Sequence, residues 1–168
     1  MVCPNFLSLA DFRQDYQGRH FNLIALDRIT NPQNLGMIIR SVAAGFMDGL
    51  LLPEKGCAKL DALVIKASAG TLFKCPIIRC DKLVSSLKTL QKDGAAICGL
   101  SSHAQQNLGE FKPEGSAIYV MGNETEGVAK EVEAVCDQWL SVPMNNGVES
   151  LNVAVTASLI AFKPLFKA

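Results

Sequence analysis

The sequence offers almost nothing with which to hold a metal. It has two histidines, His20 and His103, and its six cysteines (Cys3, Cys57, Cys75, Cys80, Cys98 and Cys136) form no C-x-x-C pair. Zinc sites need thiolates and imidazoles at short, fixed spacings, so no metal is expected. Long uncharged runs are missing as well. None approaches the roughly 18 residues that span a bilayer, which excludes a helical membrane anchor. Asp11 and Arg13 come too early to leave room for the apolar region of a signal peptide. Thiols set within apolar runs, such as Cys98 in AAICGL, suit a reducing compartment, so a cytoplasmic address is expected. Internal repeats, low-complexity segments and interdomain linkers are absent, and the 168 residues read as one domain. Neither the G-x-G-x-x-G fingerprint nor a Walker loop occurs, which argues against a nucleotide-binding dehydrogenase.

What is present is the composition of a folded α/β or α+β protein, 49% apolar and 19% charged. The net charge is zero but unevenly spread. Residues 1–92 carry twelve Lys and Arg against seven Asp and Glu, whereas residues 93–168 carry four against nine. A basic half hints at an anionic partner, although ordinary solvated surface would look the same.

Six short apolar runs read as strands: Phe21–Leu26, Gly49–Leu52, Pro76–Ile78, Ala95–Leu100, Ala117–Met121 and Trp139–Val142. Several are continuously hydrophobic, as strands covered on both faces must be. Helical patterning fills the gaps at Gln33–Ala44, Leu83–Gln91, Glu126–Val135 and Ser150–Phe162, the last with Ser150 as a possible N-cap. Strands alternating with helices predict an α/β fold, a mostly parallel sheet with helices on both faces. Ligands of such folds bind in loops beyond the carboxyl ends of the strands.

Three of those turns carry polar chemistry. In LDRITNPQNLGMIIR, Gly36 and Arg40 share one helical face, with Asn34 at the helix start. The glycine makes room for a ligand or another chain, or simply packs against the sheet. In SAIYVMGNETEG, a buried strand runs into Gly122-Asn123-Glu124, and two glycines permit a sharp turn. Asn123 and Glu124 there could bond a polar ligand, orient an arginine or merely cap the turn. In WLSVPMNNGVESLN, a flexible loop leads to Ser150, Leu151 and Asn152 at the head of an apolar helix.

Taken in order, these segments resemble the three motifs of the SpoU/TrmH family of SPOUT RNA methyltransferases. Asn34, Gly36 and Arg40 match its N-x-G-x-x-x-R element; Gly122, Asn123, Glu124 and Gly127 match its G-N-E element. Val142, Pro143, Met144 and Ser150–Val153 match the hydrophobic-P-M…S-L-N-V element, and Lys66–Pro76 resembles a family segment between the first two. The resemblance covers residues 20–163.

It implies a C-terminal trefoil knot, a homodimer with active sites at or near the interface, and S-adenosyl-L-methionine as cofactor. The cofactor would be held by Leu100, Gly122, Asn123, Val142, Ser150 and Leu151, mainly through backbone groups, with Met144 and Leu151 as apolar walls. The implied reaction is methyl transfer to a ribose 2′-hydroxyl of rRNA or tRNA, with family breadth slightly favouring rRNA. Arg40 is the residue the family assigns to activation. A guanidinium almost never gives up its proton, so Arg40 is expected to stabilise the developing alkoxide and a neighbouring phosphate, held in place by Glu124. Asn34 and Asn152 would orient the ribose and order the loop, with Ser150 completing the catalytic set. Residues 1–20 are expected to be a short extension, too short for a separate RNA-binding domain. RNA contact would fall to a basic patch of Arg13, Arg19, Arg28, Lys55 and Lys59. The alternative is a catalytically inactive RNA- or cofactor-binding protein of the same fold, against which the full set of polar motif residues argues.

Overall fold

A computed structural model describes residues 6–166; Cys3 lies outside the described residues. Among the described residues, eight strands form one sheet: β1 (Phe6–Ser8), β2 (Asn22–Leu26), β3 (Gly49–Pro53), β4 (Ile77–Cys80), β5 (Ala96–Leu100), β6 (Gln106–Asn107), β7 (Ala117–Met121) and β8 (Gln138–Ser141). Every pairing is parallel, in the order β1-β4-β3-β2-β7-β5-β8-β6. The six expected strands are all present, with ends shifted by a residue or two. β1 and β6 were not anticipated. Phe6-Leu7-Ser8 is too short to stand out as an apolar run and Gln106-Asn107 is polar, and only pairing at the sheet edges makes them strands.

Successive side chains of a strand point to opposite faces, and here both faces are covered. Ile24 and Leu26 of β2 face α2 (Pro32–Ala44), α3 (Ala62–Ala67) and α6 (Val153–Phe162), packing with Leu35, Ile39, Val64 and Ile160. Leu23 and Ala25 face α1 (Leu9–Asp15), α4 (Leu83–Lys92) and α5 (Lys130–Glu133), packing with Phe12, Leu87 and Val132. Residues 9–15 thus contribute a helix to the core rather than trailing from it. Among the described residues, no helix is long and apolar enough to cross a membrane.

Two helices begin differently from expectation. The apolar C-terminal helix starts at Val153, not Ser150, because Asn152 is its cap: Oδ1 accepts the Ala154 N–H at 2.8 Å. α5 is a single turn rather than the expected span from Glu126 to Val135. Gly127 adopts φ +71 and its N–H returns to the Asn123 carbonyl at 2.8 Å, so this stretch closes a tight loop before any helix can form. One glycine is dictated by a neighbour on the sheet. A Cβ at Gly99 would lie 2.4 Å from the ring of Trp139, the one tryptophan, which lies alongside it on β8.

The strand order runs outward from β2 through β3 and β4 on one side, and from β7 through β5 and β8 on the other. The loops leaving the adjacent strands β2 and β7 therefore diverge at their carboxyl ends, the position at which open α/β sheets hold ligands.

Candidate functional site at the carboxyl ends of β5, β7 and β8

The loop after β7 is built around Gly122. A Cβ there would fall 2.3 Å from the backbone carbon of Gly127 and 2.4 Å from the nitrogen of Val128, so only glycine allows the loop to fold back on itself. Asn123 stabilises the turn: Oδ1 accepts the N–H of Thr125 at 2.9 Å and of Glu126 at 3.1 Å, while Nδ2 donates to the Arg28 carbonyl at 3.0 Å. The β2 loop reciprocates. Arg28, at φ 56, donates from Nη2 to the Gly127 carbonyl at 2.9 Å and forms an ion pair with Glu126. Its Nε is buried 3.4 Å from Asp27 Oδ1 without a hydrogen bond, and the buried Asp27 accepts the Ala129 N–H at 2.7 Å. These contacts clamp the two loops together.

A second set of bonds joins all three motifs. Asn31 caps α2 through Oδ1, which accepts the N–H of Gln33 at 2.9 Å and of Asn34 at 3.2 Å, and Pro32 fills the first helical position. The Asn34 side chain is thereby set at the helix start. Its Nδ2 donates to Glu124 Oε1 at 2.7 Å, and its Oδ1 accepts from Asn152 Nδ2 at 3.1 Å.

The loops after β5, β7 and β8, the last leading into α6, surround a cavity of about 380 Å³. Leu100 at the end of β5, Val142 and Met144 after β8, and Leu151 before α6 supply apolar wall. Gly122 and Asn123 line it from the β7 turn, and Ser150 and Asn152 from the α6 loop. The structure thus brings together every residue expected to hold a cofactor. Glu124 reaches the cavity too, and Asn34 joins it through the hydrogen bonds to Glu124 and Asn152. Sequence reasoning missed Ser101, Ser102, Glu149 and Thr156, which also line the cavity. Each lies within a turn of a residue already singled out, which was the only available signal.

Residues 22–162 match the SpoU rRNA methylase family, a span of more than four fifths of the chain. The chain belongs to that family. It is 36% identical over 138 residues to an uncharacterized tRNA/rRNA methyltransferase of Mycolicibacterium smegmatis, covering 82% of this chain and 44% of that protein. It therefore spans less than half the length of such curated relatives. Among solved structures it resembles the SpoU methyltransferase AviRb from Streptomyces viridochromogenes in complex with AdoMet. That likeness has a TM-score of 0.79 at 27% identity, over 89% of this chain and 62% of that one. Another resemblance is to a structure described as giving insights into the 2-OH methylation of C/U34 on tRNA, with a TM-score of 0.73 at 26% identity. It covers 84% of this chain and 92% of that one.

Within this SpoU-family chain, the first motif divides in two. Gly36 is buried, and a Cβ on it would meet Ala67 Cβ at 2.4 Å and the backbone of Ala67 and Ser68 at 2.9 Å. It therefore serves helix packing, and its partner is the segment that opens KASAGTLFKCP. Arg40 is exposed on α2 and does not line the cavity. Among the described residues of a single chain Glu124 does not bond Arg40; its Oε1 accepts from the Asn34 amide.

The expected basic patch also separates. Arg28, Lys55 and Lys59 follow β2 and β3, at the carboxyl edge where the cavity lies, with Arg28 already engaged in the clamp. Arg19 precedes β2, and Arg13 pairs with Asp93 just before β5, which puts both at the opposite edge. Burial pushes the thiols of Cys75 and Cys98 up to about 12, so they stay protonated core groups rather than nucleophiles. Among the described residues, no group of three or more His, Cys, Asp or Glu is placed to hold a metal.

Proposed function

We propose that the chain transfers a methyl group from S-adenosyl-L-methionine to a ribose 2′-hydroxyl of tRNA or rRNA, acting as a homodimer. The observation that carries this reading is the convergence of the loops after β5, β7 and β8 on one cavity at the carboxyl edge of the sheet, with Asn34 of the first motif hydrogen-bonded to two of its lining residues. The cavity suits the cofactor. Its volume of about 380 Å³ lies within the usual range for small-molecule sites, about 300–1,000 Å³. Its walls pair apolar side chains with backbone turns, a match for an adenosine with a methionine tail. Leu100, Gly122, Val142, Ser150 and Leu151 would hold it, with Met144 packing against it and Asn123 bracing the turn. When bound, the cofactor supplies an electrophilic methyl group. A trefoil knot in the chain after β7 belongs to the same reading, which the crowding of the post-β5, post-β7 and post-β8 loops around one cavity supports.

Arg40 stabilises the developing alkoxide and a flanking phosphate in this reading. Arg40 does not line the cavity of its own chain, and in this reading a second copy supplies it. Met37, one turn away on α2, is 47% exposed, and Val155 and Leu159 on the adjoining α6 are 42% and 39% exposed. That apolar face is what a second copy would cover. Lys55 and Lys59 at the carboxyl edge are available to RNA phosphates, and the free cysteines suit a reducing cytoplasm.

The test is transfer of label from S-adenosyl-L-methionine into unmodified tRNA and rRNA, followed by mass spectrometry of the nucleosides. One 2′-O-methylated nucleoside is the expected product. Cofactor binding without any methylated nucleoside would overturn the reading in favour of an inactive binding protein.

A further inference from the structure

We propose that Glu124 accepts the proton of the attacking ribose hydroxyl, a role that rests on the methyl-transfer reading above. The orientation of the side-chain amides leads to it. Asn152 Oδ1 is committed to capping α6, taking the Ala154 N–H at 2.8 Å, so only its Nδ2 remains to bond Asn34. A donor arriving there requires the oxygen of Asn34, which turns the Asn34 Nδ2 toward Glu124 at 2.7 Å. Reversing either amide would set like groups against each other. The helix cap thus fixes the polarity of the whole relay, which ends by giving an N–H to one carboxylate oxygen. The second oxygen, Oε2, has no partner among the described residues, and Glu124 lines the cavity.

Few other groups could do this work. A guanidinium donates and does not accept, so Arg40 cannot take the proton. Neither His20 nor His103 lines the cavity. Glu149 does, but no hydrogen bond fixes it among the described residues, whereas Glu124 is held in register with two motifs. The other charged groups beside the turn, Glu126 and Arg28, are paired with each other.

The step balances. The ribose oxygen bonds the methyl carbon as the carbon–sulfur bond breaks, its electron pair staying on sulfur. The O–H bond breaks and its proton passes to Glu124 Oε2. The positive charge on sulfur and the negative charge on the carboxylate disappear together. Because the hydroxyl becomes acidic only as its new bond forms, a carboxylate is basic enough to serve.

The decisive variant is Glu124→Gln, which keeps an oxygen for the Asn34 amide but cannot take a proton. Single-turnover transfer of label into unmodified tRNA and rRNA should fall by about 10²–10⁴-fold, the range for loss of a general base. The affinity for S-adenosyl-L-methionine, read by calorimetry, should stay within about twofold. Formate should restore turnover to Glu124→Ala, which a purely structural role would not allow. A Glu124→Gln rate within threefold of the parent, or a loss matched by weaker cofactor binding, would overturn the role while leaving the methyl-transfer reading intact. Absence of transfer by the parent chain would overturn both.

Discussion

Replacing Gly36 by alanine tests whether the first motif's glycine serves packing or a ligand. Two effects of opposite sign compete. In a helix interior alanine is favoured over glycine by about 1 kcal/mol. Against this, the new methyl would meet Ala67 Cβ at 2.4 Å and two backbone atoms of Ala67 and Ser68 at 2.9 Å. Backbone cannot rotate away as a side-chain tip can, so the upper end of the overpacking range applies, about 3 kcal/mol. The net loss is about 2 kcal/mol, and at 2–4 °C per kcal/mol for a domain of this size the Tm should fall by about 4–8 °C. Thermal unfolding at one fixed protein concentration measures this, since dimerisation would otherwise shift the midpoint. Ala67→Gly should itself cost about 1 kcal/mol yet recover part of the loss in the double variant, giving a coupling of about 1 kcal/mol. A Gly36→Ala variant with unchanged or raised Tm would refute the packing role and return this position to the ligand.

Arg40→Ala should abolish methyl transfer while leaving S-adenosyl-L-methionine affinity nearly intact; substantial residual turnover would remove Arg40 from the mechanism. Asn152→Ala should cost about 1 kcal/mol through loss of the α6 cap, seen in urea unfolding. Asn152→Asp keeps an oxygen for the cap but no donor for Asn34, so it should recover stability without recovering activity. The Arg13–Asp93 ion pair ties α1 to the turn before β5, and the Arg13 hydrogen bond holds the Asp93 carboxyl below its ordinary range. A depressed folded pKa gives stability that is present above the unfolded value and lost as the pH falls through the folded one. Asp93→Asn should therefore lower the Tm slightly at pH 7, and the difference should vanish in strongly acid solution.

The sheet was legible because its strands are apolar on both faces, so Ile24 and Leu23 alike announce burial although they point in opposite directions. The cavity was legible because its residues flank those strands, and a parallel sheet brings all such turns to one edge. What escaped was set by contacts distant in sequence. The Ala67 backbone decides why residue 36 is glycine, and 30 residues of intervening chain conceal it. The one-turn length of α5 follows from the Asn123–Gly127 bridge, which overrides the helical pattern of its sequence. Ser150 and Asn152 are both good caps by type, and only the course of the loop chooses between them. Arg40 carried a motif position but no sign that its helix face turns away from its own cavity.

Trp139 lies against Gly99 and next to Leu140, a cavity-wall residue, while Gly99 adjoins Leu100 on the same wall. As the one indole in the chain, it makes the protein its own optical sensor. Occupancy of the cavity should be readable in emission intensity and wavelength without a dye, a label or a turnover assay. That permits screening of ligands and variants before any nucleic-acid target is in hand.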